Sequence, residues 1–353
     1  MGFERKLDHI DICLKEKVNA HCNYWDDVHI IHNALPEVDM GDIDTSVTLF
    51  GKELAAPIII SAITGGFEGA ESINRNLAEG AAKAGVGLGL GSQRPALVDD
   101  SLAPSYEVVK DYEIPLVMAN IGAPQLVEQK GVAAFGVEEA RQAIEMVDAD
   151  VLAIHMNFLQ EIVQPEGDLR AAGCLDAIGA IAKEFPVVAK ETGAGLSRTV
   201  AHSLMKHGVA GLDVGGLGGT SFAAVEHHRA KKGGDYTLTR IGETFWDWGI
   251  PTPVSIVAVD VGLPMIATGG LRNGLDVARA VSLGASAGGL ARQMLVAAVE
   301  GADAVHKELD TLISELKGAM FLSGAGNVEE MANVPVVVTG LSADWLSAME
   351  PLE

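Results

Sequence analysis

Short apolar runs ending in glycine or polar side chains recur along the chain, at 57–62, 85–90, 116–119, 151–154, 187–189, 209–214, 265–267 and 285–290. Runs of that length, rich in Val, Ile, Ala and Gly and apolar on both faces, predict buried strands of a parallel sheet. Helical periodicity fills several intervals, at about 71–84, 137–147, 197–206 and 274–283, with a further stretch at about 8–17 before the first strand. Repeated strand–helix alternation with short connections predicts closure into a (β/α)8 TIM barrel. An open doubly wound sheet would instead open its first helix with G-x-G-x-x-G and carry an acidic residue about 20 positions on, and the chain has no such pattern. Residues 1–56 read as a polar, irregular lead-in. Residues at about 229–249, with Lys231-Lys232-Gly233-Gly234 and Trp246-Asp247-Trp248-Gly249, exceed a usual connection after the sixth strand and predict an insertion or mobile flap over the barrel mouth. Beyond about residue 300 a helical stretch to Met320 and a short tail are expected, and a single domain spans 1–353.

Composition narrows the class. Only 5% of the 353 residues are aromatic and 41 are glycine, which favours aliphatic parallel strands with tight turns over an aromatic-rich β-sandwich. A net charge of -23 argues against nucleic acid or an anionic membrane as partner. Cys13, Cys22 and Cys174 are odd in number and lack metal-ligand spacing, so they predict reduced thiols. With no signal-like apolar region at the N-terminus and no membrane-length run, the expectation is a soluble cytoplasmic protein.

On so acidic a chain, cations at strand exits are informative, and Arg94, Lys190, Arg272 and Arg292 all stand there. Gly269-Gly270-x-Arg272 and Gly289-Leu290-Ala291-Arg292 follow strands 7 and 8, where such barrels commonly hold a phosphate against backbone N–H groups. Thr220 adds a hydroxyl after a glycine-rich run. Thr64, Ser92, Asn120 and Lys190 would line the mouth with groups suited to the polar edge of a flat heterocycle; residue types alone leave a flavin mononucleotide and a sugar phosphate as equal alternatives. His, Asn, Gln and Glu side chains crowd His155-Met156-Asn157-Phe158-Leu159-Gln160-Glu161, directly after the fourth apolar run. Arg5-Lys6-x-x-His9 forms a separate cationic cluster at the N-terminus.

Taken together, several of these motifs closely resemble those of the type 2 isopentenyl-diphosphate isomerases over nearly the whole chain. The resemblance rests on Arg5-Lys6-x-x-His9, Thr64-Gly65-Gly66, Gly91-Ser92-Gln93-Arg94, His155-x-Asn157-x-x-Gln160-Glu161 with Gln164-Pro165-Glu166-Gly167-Asp168, Lys190-Glu191, Gly218-Gly219-Thr220, Asp247-Trp248-Gly249-Ile250-Pro251-Thr252 and Gly269-Gly270-Leu271-Arg272-Asn273-Gly274. It implies an enzyme that uses reduced FMN and Mg2+ to interconvert isopentenyl and dimethylallyl diphosphate, with NADPH or another reductant keeping the flavin reduced. Carried over by motif, Ala62, Ile63, Thr64, Ser92, Asn120, Lys190, Thr220, Gly270, Arg272, Ala291 and Arg292 would hold FMN. Arg5, Lys6, His9, Arg94, His155 and Asn157 would hold the diphosphate, Gln160 would face the allylic carbons as the catalytic side chain, and Glu161 would bind Mg2+. The resemblance also implies a homo-oligomer, tetramer or octamer. Two positions depart from the family pattern: Phe222 stands where tryptophan is usual, and Gln293 where proline is expected. Two other readings compete: an FMN-dependent 2-hydroxy-acid oxidase or dehydrogenase, which would need a histidine base and an arginine pair for a carboxylate where the later helices show no obvious histidine after strand 7, and a non-catalytic flavin- or phosphate-binding barrel. The N-terminal cluster is expected to order over the mouth when substrate arrives.

Overall fold

A computed structural model describes residues 2–349, and side chains from Arg5 onward; Met1 of the expected lead-in lies outside the described residues. Every expected barrel strand forms. They are β4 (Ile58–Ile60), β5 (Gly87–Gly89), β6 (Val117–Gly122), β7 (Val151–Met156), β8 (Val187–Glu191), β9 (Gly211–Asp213), β10 (Met265–Thr268) and β11 (Ala287–Leu290), which follow β1 (Val28–Ile30), β2 (Val47–Leu49) and β3 (Lys52–Leu54) and precede β12 (Val336–Val338). β4 to β11 close as an all-parallel barrel in sequence order, with β11 pairing β4. β6, β7 and β8 run past their apolar cores into the polar residues, so Asn120, His155 and Lys190 are strand residues rather than loop residues. Register sets His155 beside Gly122 on one side and Lys190 on the other.

The barrel has two apolar layers. Inward residues Ile59, Leu116, Met118, Val151, Val188, Ile266 and Ala287 pack with Leu49 and Leu54 of the β2–β3 hairpin, which stoppers the end of the barrel opposite the polar strand exits. The outward layer meets the helices, where Ile73, Leu77 and Ala81 of Ala70–Ala84 or Val277, Ala280 and Val281 of Gly274–Ser282 supply one apolar face at helical spacing. Ser197 and Asn273 cap their helices with side-chain oxygens, fixing where those helices begin.

Three stretches differ from their expectations. The lead-in is more regular than its polarity suggests: it holds the helix Gly2–Lys15, a 3-10 turn at Tyr24–Asp27 and β1. The expected short tail contains the helix Val328–Ala332, β12 and the helix Gly340–Ala348, and β12 pairs antiparallel with β1, Val28 opposite Val338. An isolated pairing of three-residue strands from opposite chain ends leaves no periodic signal in either segment. At 229–249, the helix Phe222–Lys232 runs into the expected insertion, and Tyr236–Thr244 packs back on it as a helical hairpin beside Phe158–Val163. Asp247 receives the His21 backbone N–H at 2.9 Å, and the Trp246 indole donates to the Asn19 carbonyl at 2.9 Å, tying this hairpin to the N-terminal segment.

Candidate active site

The C-terminal ends of the strands surround a cavity of about 650 Å³, and every residue expected to bind cofactor, substrate or metal lines it. The N-terminal helix lies across its mouth. Lys6 Nζ enters the cavity wall and donates to the carbonyls of Gly65 and Ser92, the latter at 2.9 Å, and to the Tyr106 hydroxyl at 2.9 Å. Three oxygens match the three N–H bonds of an ammonium, while burial, helped by the charge of Arg5, pulls its pKa down to about 7. Among the described residues, the buried Arg5 Nε has no hydrogen-bond partner.

On the β7 side, buried amides and carboxylates form a continuous hydrogen-bonded chain. Asn157 donates to Gln160 Oε1 at 3.1 Å and to Glu161 Oε1 at 2.9 Å. Gln164 and the Asp168 backbone N–H donate to Glu161 Oε2 at 2.6 and 2.8 Å. Burial raises the Glu161 pKa against these bonds. Gln160 Nε2 reaches Glu226 Oε1 at 3.0 Å, an atom that also meets His9 Nε2 at 2.7 Å, and Arg229 holds the other oxygen at 2.6 Å. Burial opposes charge on the fully enclosed Glu226, but the His9 bond and the charges of His9 and Arg229 outweigh it and keep its pKa below the usual range. Glu226 was not singled out in the sequence: it sits in Ala-Val-Glu-His-His-Arg, a charged helical stretch like many solvated ones, and only the fold turns it inward.

The phosphate end is closely built. Gly269 has φ +122, and a Cβ there would stand 2.2 Å from the Gly216 carbonyl, so the loops after β9 and β10 touch backbone to backbone. Trp25, fully buried, donates its indole N–H to the Gly269 carbonyl at 2.9 Å, and Asn23 donates to the Gly270 carbonyl at 2.7 Å. The helix Arg292–Glu300 begins at Ala291, which offers no side-chain cap, so its first N–H groups are available to an anion. The cations here are already engaged. Arg272 pairs with Asp276 at 2.8 Å and Asp26 at 2.7 Å, and Arg292 donates to the Cys13 carbonyl and to Asn19 Oδ1, both at 2.8 Å. Arg94 pairs with Asp168 at 2.7 Å, and Lys190 Nζ donates to the Glu191 carbonyl at 2.8 Å. Asp26, Asp168 and Asp276 had no role in the site expected on sequence: Asp276 stands at the ordinary i,i+4 helical spacing from Arg272, whereas Asp26 and Asp168 meet Arg272 and Arg94 only across the fold. Phe222 lines the cavity edge-on to His9, ring centroids 6.3 Å apart, and Gln293 lines it beside Arg292.

Sequence comparison decides the family. The chain is 47% identical over 343 residues to an isopentenyl-diphosphate delta-isomerase of Thermoplasma volcanium, covering 97% of this chain and 99% of the relative. It belongs to the type 2 isopentenyl-diphosphate delta-isomerases. Isomerases of that name from Methanosarcina mazei and Archaeoglobus fulgidus are also 47% identical, covering 97% of this chain and 93% and 98% of their own lengths. The FMN-dependent dehydrogenase family matches at residues 6–104 and 184–337. Among solved structures, a mandelate oxidase holding a C4a-OH-FMN adduct aligns with TM-score 0.63 at 18% identity, covering 96% of this chain and all of the other, a likeness of fold. The family's barrel and flavin dependence thus agree with the cavity, whose glycine loops and uncapped helix start suit a flavin phosphate.

Proposed function

We propose that the chain interconverts isopentenyl and dimethylallyl diphosphate by a 1,3-allylic proton shift, with reduced FMN and Mg2+ bound. One observation carries the reading: the cavity joins a cationic rim, Arg5, Lys6, His9 and Arg94, to the buried Asn157–Gln160–Glu161–Glu226 chain, so one molecule with an anionic head and a hydrocarbon tail meets both. The rim and His155 hold the diphosphate through charge-assisted contacts. Gln160 faces the allylic carbons. Its amide oxygen accepts from Asn157 and its N–H groups point to Glu226 and Gln164, so the side chain is fixed before substrate arrives. An amide held in this way is poorly basic and serves to orient the reacting carbons and exclude water.

Thr64, Ser92, Asn120, Lys190, Thr220, Gly270, Arg272, Ala291 and Arg292, with Ala62 and Ile63, hold FMN, with Lys190 stabilising the negative charge of the reduced ring. When bound, reduced FMN supplies the acid–base group that exchanges protons with the substrate. NADPH or another reductant maintains that state. Glu161 supplies a hard oxygen to Mg2+, which suits oxygen ligands, and diphosphate oxygens and water would complete its shell. The test is anaerobic turnover of the FMN-loaded protein. A single reduction supports many isomerisations without net flavin oxidation; equal isomerisation by flavin-free protein would overturn the reading.

A further inference from the structure

His155 sits where the cationic rim meets the cavity floor, and its hydrogen bonds fix which ring nitrogen carries the proton. Asn120 Nδ2 donates to the Leu90 carbonyl at 2.8 Å, and because a carbonyl only accepts, the Asn120 amide has one permitted orientation. Its Oδ1 therefore faces His155 Nδ1, 2.8 Å away, and can only accept there. The arrangement is held from behind: Gln93, fully buried, accepts the Asn120 backbone N–H at 2.8 Å and donates to the Ala143 carbonyl at 2.8 Å. His155 must place its proton on Nδ1. Nε2 then carries a lone pair on the side of Gly122, where an added Cβ would stand 2.9 Å from Nε2 and 2.1 Å from Gln125 Oε1. Gln125 is itself oriented by donating Nε2 to Asp168 at 3.3 Å, so its Oε1 is a second acceptor beside the same glycine.

We infer that Asn120 is a positioning residue that locks His155 as the Nδ1–H imidazole, and that a diphosphate is gripped by His155 only with uptake of a proton at Nε2. This rests on the diphosphate reading above and gives Asn120 a task besides flavin contact, for which its second Nδ2–H remains. A simple switch of tautomer does not serve, because it would turn two lone pairs toward each other across the Asn120–His155 contact. The charged groups facing the ring are cationic: Lys190 from β8, and Lys6 and Arg5 from the N-terminal helix. Burial first, then these cations, hold the free His155 near pKa 3, against the pull of the Ile121 carbonyl. An arriving anion cancels their field, making protonation favourable and adding a positive charge where the anion binds.

The experiment uses FMN-loaded protein, with inorganic pyrophosphate as probe and a parallel sample with isopentenyl diphosphate. In long-range 1H–15N spectra of histidine-labelled protein, with His155→Gln identifying the signal, free His155 should appear as the neutral Nδ1–H form at pH 7 and become imidazolium on adding pyrophosphate. Calorimetry in buffers of different ionisation enthalpy should show a proton uptake larger by about one per site in the wild type than in His155→Gln, the difference excluding what Lys6 and the pyrophosphate themselves exchange. Asn120→Ala should give a mixture of neutral tautomers in the free protein, whereas Asn120→Asp should retain Nδ1–H and raise the apparent pKa. A free His155 protonated on Nε2, or one that stays neutral with pyrophosphate bound, overturns the inference. If neither ligand binds, the diphosphate reading and the coupled uptake fall together, and the free-protein spectrum still decides whether Asn120 sets the tautomer.

Discussion

At the scale of single residues, the site depends on groups whose protonation and orientation are fixed by burial. Gln160 is held by Asn157, Gln164 and Glu226, and it is assigned to the allylic carbons rather than to the diphosphate. Gln160→Ala should therefore lower kcat by one or more orders of magnitude with little change in KM, while His155→Ala should mainly raise KM. Near-normal turnover of Gln160→Ala at saturating substrate would refute the assignment. His155 also makes stability depend on pH. Its folded pKa, about 3, lies below the ordinary histidine value of 6.5, so between these values the unfolded chain binds the extra proton. The stabilising contribution of the neutral imidazole is complete above about pH 6.5 and is lost as pH falls toward 3. Between pH 7 and 4.5, the Tm of the wild-type protein should fall more than that of His155→Gln, as measured by scanning calorimetry. Equal slopes would show that another group governs acid lability.

At the scale of elements, the N-terminal helix is the segment whose chemistry and position are most closely linked. Its Lys6 plugs into the loops after β4 and β5, its His9 reaches Glu226, and Arg292 takes the Cys13 carbonyl near its C-terminal end. Arg5 offers charge-assisted hydrogen bonds to a diphosphate, worth roughly 1.5–3 kcal/mol each, and Lys6 can add its own only by exchanging its contacts with Gly65, Ser92 and Tyr106. Replacing both by alanine should raise KM tenfold or more and leave FMN content, read from the visible spectrum, unchanged. Hydrogen exchange should slow across residues 5–10 when diphosphate and Mg2+ bind, because Lys6 and His9 hold the first turns of the helix by polar contacts that substrate reinforces, while Ile12 anchors its later turns in an apolar cluster with Val18, Ala224 and Val225. Unchanged protection would make it a fixed wall. The hairpin that includes Tyr236–Thr244 is tied to the same segment through Trp246 and Asp247, so its exchange should respond in parallel.

At the scale of the whole molecule, a net charge of -23 surrounds a mouth rimmed by cations, most of them already neutralised by carboxylates or carbonyls. The field that draws in a diphosphate is therefore local to the mouth rather than general. The same charge makes copies of the chain repel, a repulsion that salt screens. A homo-oligomer, tetramer or octamer, is proposed on family grounds, and light scattering tests it: the assembly mass should be reached at physiological salt and be most vulnerable at low salt. A monomer mass at every salt concentration would remove the proposal. No helix among the described residues is long and apolar enough to cross a membrane.

Sequence by itself determined the barrel and the membership of its mouth. The strands are apolar on both faces and end in polar groups, a pattern that survives without knowledge of neighbours, and Val137–Val147 forms at its expected bounds because one face supplies apolar side chains at helical spacing. The strand-exit residues lining the cavity were legible for a related reason, since in a parallel barrel each strand end points to one rim; Arg5, Lys6 and His9, which precede the first barrel strand, were expected there from the family resemblance. Tertiary structure decided what those residues hold. Glu226 becomes the partner of Gln160 and His9 only when a helix after β9 meets one after β7 and the N-terminal helix. Arg272 meets Asp26, Arg94 meets Asp168, and β1 meets β12, across separations that leave no local pattern. The tautomer of His155 was out of reach for the same reason, since it is set by Asn120, which is itself oriented by a backbone carbonyl on a third strand exit. Periodicity reports which face of an element is buried; the partner waiting on that face is chosen by closure of the chain.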